Sequence, residues 1–253
     1  MKIILLICLF PLLVFGGGAI NFDGVDDYIE IPSISATDWT VSVWLNEKGS
    51  DSTVASVVGF GEDGGIAYEK LFVVNSQRVY LRYKNTAPLR EFLDICTPSN
   101  NFNQWYFYTI TKSGNTLTVY QDTTEIGTRT DTDIGSFYPL SYPNRHIGVV
   151  EYHDGLHHYR FFNGSIDDVL IYNKALSIEE IKEIYVSKNA WYPKAGLVSR
   201  WSMENNGVST GQPHANGSTI KDSVGSNNGT IVDGSDNSMT LESSPTRKKR
   251  GRR

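Results

Sequence analysis

The sequence predicts an all-β protein, a sandwich or barrel of antiparallel strands, with one short helix towards its C-terminal end. Between residues 20 and 172, short apolar stretches that alternate with polar residues are bounded by Gly, Asn, Asp, Ser or Pro, which is typical of strands joined by turns. Several short strands of this kind indicate a sandwich or a barrel. Only residues 175–187 have a convincing helical periodicity.

The first 16 residues have the order of a secretory signal peptide. Lys2 precedes an apolar run over residues 3–15, and small residues follow from Gly16. The run is shorter than the roughly 20 residues that a membrane-spanning helix needs. We therefore expect cleavage after Gly16, a secreted, extracellular protein and no transmembrane segment. The mature chain would keep only Cys96 and would lack an internal disulfide.

Three local patterns support individual elements. WTVSVWLN (39–46) alternates apolar and polar residues as a strand with one buried face does. Residues 112–115 separate two further strands, and Gly114 supplies the positive φ that the turn of an antiparallel hairpin requires. Ser177 and Glu180 have the spacing of a capping box at the start of the helix.

The composition changes after about residue 188. Strands are expected at 197–203 and 230–232, whereas residues 204–240 are mostly Asn, Gly, Ser, Thr and Asp, which predicts a loop or weakly ordered coil. The tail 243–253, expected to be disordered, contains several of the 23 basic residues, so the remaining chain is more acidic than the formal net charge of −5. An acidic body argues against nucleic acid as a partner and favours cation binding.

Four stretches, taken in order, resemble the laminin G-like jelly-roll family, the concanavalin A-like sandwiches of secreted lectin and adhesion modules. They are AINFDGVDDYIEIP (19–32), WTVSVWLN (39–46), QWYFYTITKSGNTLTVYQDTTEIGT (104–128) and FNGSIDDVLIYNKALSIEEI (162–181). The resemblance implies that residues 17–190 form an all-β domain, an antiparallel jelly-roll sandwich with one short C-terminal helix.

Residues 191–242 resemble the same family out of order. GLVSRWSMENN (196–206) and KDSVGSNNGTIVDG (221–234) are similar to the opening strand and turn that normally precede the FDG motif. Either a partial repeat begins here, or the segment folds back as a permuted strand that completes the sandwich. We favour folding back, because a strand alone in water lacks partners for its backbone and its apolar side chains.

Two acidic groups are candidates for a metal site: Asp23, Asp26 and Asp27 near the first strand, and Asp167 and Asp168 before the helix. Crowded carboxylates repel one another unless a cation or hydrogen-bond donors offset them, and Ca²⁺ binds six to eight such oxygens. The resemblance implies that the two segments are neighbours and that a structural calcium is often held there. Strand parity favours Asp27 and Asp167, and Asp23 comes from the turn before Gly24, so these three aspartates are the expected Ca²⁺ ligands. The alternative is that these aspartates cap turns and the helix.

Five residues from loops are candidates for ligand binding, because aromatic rings stack on sugar faces and histidines supply polar contacts. They are Tyr142, Tyr152, His153, His157 and Tyr159. The alternative is that the rings pack at the rim of the sandwich and that the histidines belong to a polar loop.

These observations favour a secreted, non-catalytic binding module, stabilised by calcium, that recognises a carbohydrate or a cell-surface protein. The sequence lacks the Glu-x-Asp-x-x-Glu strand of related β-glucan hydrolases and the Gly-x-Ser-x-Gly of serine hydrolases. Two alternatives are a polysaccharide lyase or hydrolase that uses the histidine-containing loop 151–160, and a structural component of a surface assembly.

Overall fold

The structure is a computed structural model. It describes residues 18–34, 36–49, 55–59, 62–63, 70–75, 78–83, 91–93, 102–130, 145–152, 158–159, 161–187, 191–203, 213–234 and 238–243.

Within these residues the chain forms 19 strands and one helix, α1 (Ile178–Ser187). The strands are β1 (Gly18–Asp23), β2 (Tyr28–Glu30), β3 (Trp39–Glu47), β4 (Ala55–Gly59), β5 (Glu62–Asp63), β6 (Lys70–Asn75), β7 (Arg78–Tyr83), β8 (Glu91–Leu93), β9 (Trp105–Ser113), β10 (Thr116–Gln121), β11 (Thr124–Thr130), β12 (His146–Ile147), β13 (Val150–Tyr152), β14 (His158–Tyr159), β15 (Asn163–Tyr172), β16 (Leu197–Trp201), β17 (Thr219–Ile220), β18 (Gly229–Val232) and β19 (Thr240–Ser243). The predicted all-β class with one helix is confirmed.

Two antiparallel sheets of eight strands each build the molecule. The first sheet has the order β11-β10-β9-β3-β15-β1-β19, and β16 also pairs with β15. The second sheet has the order β17-β18-β2-β12-β4-β6-β7-β8. Strands β14, β13 and β5 form a small third sheet, in which β13 and β5 run parallel.

The two faces of the first sheet pack against different partners. In β3, Val41, Val43 and Leu45 belong to the large apolar core, which also contains Ile29 and Ile231 from the second sheet. Alternate residues project from the opposite face, where Trp44 packs in a smaller cluster with residues of α1. The period-two alternation of β3 thus supplies both clusters.

The helix begins at the predicted capping box. Ser177 Oγ accepts a hydrogen bond from Glu180 N at 3.3 Å, and Glu180 Oε2 accepts one from Ser177 N at 3.0 Å. The two side chains therefore satisfy two backbone donors that the first helical turn leaves without intrahelical partners. Ile181 and Ile184 are buried against the first sheet, which fixes the helix on its outer face.

The C-terminal segment, residues 191–243, contributes strands to both sheets. Strand β16 pairs with β15, and β19 pairs with β1 in the first sheet. Strand β18 pairs with β2 in the second sheet. Trp201 is fully buried in the large core, and its Nε1 donates a hydrogen bond to Asn227 O at 2.8 Å. The segment thus has main-chain and side-chain partners in the same sandwich as residues 18–187.

Several expectations need correction or lie outside the described residues. The strand expected at 230–232 lies within β18 (Gly229–Val232), whereas the coil expected in the rest of 204–240 also contains β17 (Thr219–Ile220), where Ile220 is buried. The expected tail 243–253 overlaps β19 at Ser243. The expected signal peptide 1–16, Cys96 and residues 244–253 lie outside the described part of the chain.

Candidate functional site

An acidic cluster occupies the turn between β1 and β2. One carboxylate oxygen from each of Asp23, Asp26 and Asp27 lies within 4.8 Å of the other two. Asp23 Oδ1 accepts hydrogen bonds from Val25 N at 2.7 Å and Asp26 N at 3.4 Å, so its side chain also shapes the turn. Ligands about 2.4 Å from one Ca²⁺ ion are at most about 5 Å apart, which fits the spacing of these oxygens.

Asp27 is the buried member of the cluster, with no exposed surface. Its Oδ2 accepts hydrogen bonds from Asp23 N at 2.9 Å and Ser238 Oγ at 3.1 Å, whereas its Oδ1 has no hydrogen-bond partner. Burial is the main reason that the pKa of Asp27 is raised to about 7, and the nearby Asp23 and Asp233 carboxylates raise it further. A cation beside Oδ1 would relieve both the missing contact and the repulsion, so the residues present fit a metal ion.

A further carboxylate, that of Asp233, comes from the C-terminal segment and acts on Asp27 electrostatically, but it lies outside the group of three oxygens within 4.8 Å of one another. In the ladder between β18 and β2, Val232 pairs with Tyr28, so the next residues, Asp233 and Asp27, follow side by side. Asp233 is fully buried, and its Oδ2 accepts a hydrogen bond from Met239 N at 3.2 Å. Sequence reasoning missed Asp233. The only signal was its position directly after the strand predicted at 230–232.

Gly234 follows Asp233 and faces the same cluster. A Cβ atom at this position would overlap the carboxylate of Asp26, so any side chain would displace one member of the acidic group. The C-terminal segment therefore approaches the turn between β1 and β2 so closely that a Cβ at residue 234 has no room beside the Asp26 carboxylate.

The structure does not bring Asp167 to this cluster. Asp23 pairs with Asn163 on β15, and Asp167 lies four residues further along that strand, which at about 3.4 Å per residue is about 13 Å away. Asp167 instead pairs with Trp44, on the face that carries α1. The ladder between β15 and β3 is irregular around Asp168, whose φ is +45°. The side chains of β15 therefore do not keep a simple period-two alternation between the two faces of the sheet across this point. The parity argument, which counted back from Val169, therefore put Asp167 on the wrong face.

Asp168 has a structural partner rather than a place in the acidic cluster. Its Oδ1 accepts hydrogen bonds from Arg200 Nε at 3.1 Å and from Arg200 Nη2 at 2.8 Å. Both residues are buried, with Asp168 1% exposed and Arg200 9% exposed. The guanidinium also lies 4.7 Å from the centre of the Tyr192 ring. This ion pair joins β15 to β16, so it fastens the start of the C-terminal segment to the first sheet.

The predicted ligand-binding hairpin is rooted beside the acidic cluster. Phe162 N donates a hydrogen bond to Gly148 O at 2.8 Å, which closes the base of the excursion that contains β13 and β14. At this base Gly148 has a φ of +94°, and a Cβ there would overlap the Phe22 ring and come within 3.4 Å of Asp27 O. The root of the hairpin therefore contacts the turn that holds the carboxylates.

The five predicted ligand-binding residues belong to this hairpin or to the chain just before it. Tyr142, His153 and His157 lie outside the described residues. Tyr152 ends β13 and Tyr159 ends β14, and their backbones alone are described. Their role in binding stays a prediction.

Comparison with known proteins agrees with this architecture. Residues 23–182 match the concanavalin A-like lectin/glucanases superfamily. The chain belongs to this superfamily. The resemblance seen in the sequence is thereby confirmed, and the match begins at Asp23, the first carboxylate of the cluster. Among curated proteins, no sequence matches the chain.

Solved structures with similar folds include three of different origin. A candidate carbohydrate binding protein from Bacteroides ovatus is 17% identical with a TM-score of 0.62, over 93% of this chain and 62% of that protein. A heptameric SAP-like pentraxin from Limulus polyphemus is 15% identical with a TM-score of 0.59, over 90% of this chain and 96% of that protein. The CBM40 of a Ruminococcus gnavus IT-sialidase, bound to alpha2,3 sialyllactose, is 14% identical with a TM-score of 0.52, over 64% of this chain and 96% of that module. At these identities the similarity shows a shared fold.

Within the described ranges, no helix is long and apolar enough to cross a membrane.

Proposed function

We propose that this member of the concanavalin A-like superfamily is a secreted, non-catalytic module that binds carbohydrate and is stabilised by calcium. The observation that carries the proposal is the position of the acidic cluster at the root of the β13–β14 hairpin. A metal ion at the cluster would hold that root in place. The hairpin, with Tyr152 and Tyr159, would then present a fixed surface to a sugar.

Carbohydrate is the preferred ligand class for two reasons. Structures of the same fold include the candidate carbohydrate binding protein from Bacteroides ovatus and the CBM40 with bound sialyllactose. In addition, the predicted contact residues are mainly tyrosines, whose rings stack on the apolar faces of sugars while their hydroxyl groups donate hydrogen bonds. A cell-surface protein is the other partner that the sequence leaves open, and the binding experiment below distinguishes the two.

Calcium is the preferred ion because of the donors. The cluster offers carboxylate oxygens and neighbouring backbone carbonyls, which are the ligands of hard cations, and the described members include no thiol or imidazole. When bound, the ion would neutralise the mutual repulsion of Asp23, Asp26 and Asp27. Asp27 would use its otherwise unpartnered Oδ1 for this contact.

Binding to immobilised glycans tests the proposed function. The protein with Tyr152→Ala and Tyr159→Ala should lose at least about tenfold in affinity for any glycan that the parent binds, because each ring would contribute about 1 kcal/mol or more. Trp191→Ala is the matched control, since Trp191 is a 53% exposed aromatic residue in the chain after α1. Equal affinity of the double variant and the parent would reject the hairpin as the sugar site.

Incubation of the protein with the same glycans distinguishes a binding module from an enzyme. A binding module should leave their chain length unchanged over days, whereas a lyase or hydrolase would release reducing ends. Turnover that disappears after substitution of His157 and His158 would replace the proposal with the enzyme alternative. Capture of a cell-surface protein without any glycan binding would favour the protein-partner alternative.

A further inference from the structure

A lysine, an asparagine and a glutamate from three separate segments meet on the outer face of the first sheet. Asn21 lies on β1 between Ile20 and Phe22, which both belong to the large core, so its side chain projects from the opposite face. Lys48 directly follows β3, and Glu242 lies on β19. Lys48 Nζ donates hydrogen bonds to Asn21 Oδ1 at 2.6 Å and to Glu242 Oε1 at 2.5 Å. A primary amine thus lies between a carboxamide and a carboxylate.

The backbone of the sheet holds each of the three groups in place. Asn21 belongs to both ladders of β1, so neighbouring strands fix it on either side. Lys48 N donates a hydrogen bond to Asn163 O at 3.0 Å. Glu242 Oε2 accepts a hydrogen bond from Ser165 Oγ at 2.7 Å, which leaves Oε1 for the Lys48 amine. The groups therefore meet without any rearrangement of strands, and such positioning strongly favours a reaction between them.

The distances allow attack of the amine on the carboxamide. The carbonyl bond of Asn21 is about 1.23 Å long, so its Cγ lies within about 3.8 Å of Lys48 Nζ, close to the separation of about 3–3.5 Å from which reacting atoms combine. Only an uncharged amine is a nucleophile, and the Glu242 carboxylate is in contact with Nζ to take up the proton that the ammonium must lose.

The reaction balances without a cofactor or an oxidant. The electron pair of Lys48 Nζ forms a bond to Asn21 Cγ, and the bond between Cγ and Nδ2 breaks. Glu242 returns its proton to the departing nitrogen, and Nζ gives up a second proton, so that one ammonium ion leaves for each amide bond formed.

We propose that Lys48 and Asn21 form an intramolecular amide cross-link, with Glu242 carrying the proton. The bond joins β1 to the end of β3 across β15 and closes a loop over residues 21–48. It restricts the unfolded chain as a disulfide does, but reductants do not cleave it. The cross-link depends neither on a cation nor on a sugar, so the inference stands apart from the proposed function.

Lys174 provides a matched control in the same chain. Its Nζ donates to Glu180 Oε1 at 2.6 Å, and its side chain is 36% exposed, compared with 35% for Lys48. Within the described residues the Lys174 amine has no hydrogen bond to a carboxamide. This amine therefore has the carboxylate without the group that it would attack, and it should stay unmodified.

The intact mass of the purified full chain, measured under denaturing and reducing conditions, tests the cross-link. The mass should be lower by about 17 Da, the mass of ammonia, than the sequence requires. A tryptic digest should contain one branched peptide that links Asn21 to Lys48, without cleavage after Lys48, because its amine is acylated. The branched peptide distinguishes the cross-link from loss of ammonia elsewhere. A mass equal to that of the sequence, unchanged over days at about pH 9, would overturn the proposal.

Four variants assign the roles. Lys48→Arg and Asn21→Ala should each have the mass of their own sequence, whereas Lys174→Arg should keep the full deficit. Glu242→Gln retains an oxygen that accepts a hydrogen bond but cannot carry the proton, so its cross-link should form at least about 100-fold more slowly. Persistence of the deficit in Lys48→Arg or Asn21→Ala would overturn the assignment of the bond. Equal rates in Glu242→Gln and the parent would overturn the role of Glu242.

Discussion

Glu47→Gln should change how the stability of the sandwich depends on pH. Glu47 is the last residue of β3 and follows the alternation that places Val43 and Leu45 in the large core. It is 3% exposed, and neither carboxylate oxygen has a hydrogen-bond partner. Burial raises the pKa of Glu47 from its ordinary value of 4.5 to about 7. At neutral pH, the ionised carboxylate of Glu47, which has no hydrogen-bond partner, therefore destabilises the folded protein.

The sign and size of the effect follow from linkage. Because the folded state binds the Glu47 proton more tightly than the unfolded chain does, the stability from this group is present below pH 4.5 and is lost as the pH rises through 7. The difference between 4.5 and about 7 corresponds to about 3.4 kcal/mol in the free energy of unfolding, of which about 2.5 kcal/mol falls between pH 5 and pH 8.

Urea denaturation from pH 5 to pH 8 measures this contribution as a difference between proteins. Relative to the parent, Glu47→Gln should become more stable by about 2.5 kcal/mol as the pH rises over this range, because glutamine cannot ionise. Glu183→Gln, at an exposed position on α1, controls for the loss of one negative charge. If the free energy of unfolding of Glu47→Gln differed from that of the parent by the same amount at every pH, the reasoning would be refuted. Such a result would mean that the Glu47 carboxylate is solvated or paired.

Three further substitutions test other contacts. Trp201→Ala should lower the free energy of unfolding by about 3–5 kcal/mol in urea, because it removes a fully buried ring of the C-terminal segment from the large core; a loss under about 1 kcal/mol would mean that the segment contributes little to folding. Ser177→Ala should cost about 1 kcal/mol through loss of the capping hydrogen bond to Glu180 N, and an unchanged thermal midpoint would contradict this. Burial lowers the pKa of His214, so stability should fall as the pH drops below 6.5; His214→Asn should flatten the acid limb of the stability curve, and an unaltered limb would count against it.

Local signals in the sequence predicted local structure well. The spacing of Ser177 and Glu180 predicted the capping box that the hydrogen bonds confirm. Gly114, with a φ of +54°, lies in the turn between β9 and β10 as expected. These features depend on residues a few positions apart, so a single sequence contains the information that specifies them.

Long-range pairing accounts for what the sequence did not reveal. Asp233 comes to lie beside Asp27 only because β18 pairs with β2, about 200 residues earlier in the chain, and nothing local to Asp233 encodes that partner. The positive φ of Asp168 shifts the faces of β15, and period-two counting has no means of detecting such an irregularity. In the polar stretch 204–240, β17 has two residues and only one apolar side chain, which is too little for alternation to emerge above the loop signal.

The pairing of β1 with β19 has a mechanical consequence. Gly18 lies opposite Ser243, so the first and last described residues are neighbours at one end of this ladder. A pulling force applied between these two ends would act along the hydrogen bonds of the β1–β19 ladder, perpendicular to the strands, and would break them one after another. Such unzipping requires little force compared with shearing all the bonds at once. The sandwich is therefore poorly suited to transmitting tension through its own backbone between these two ends.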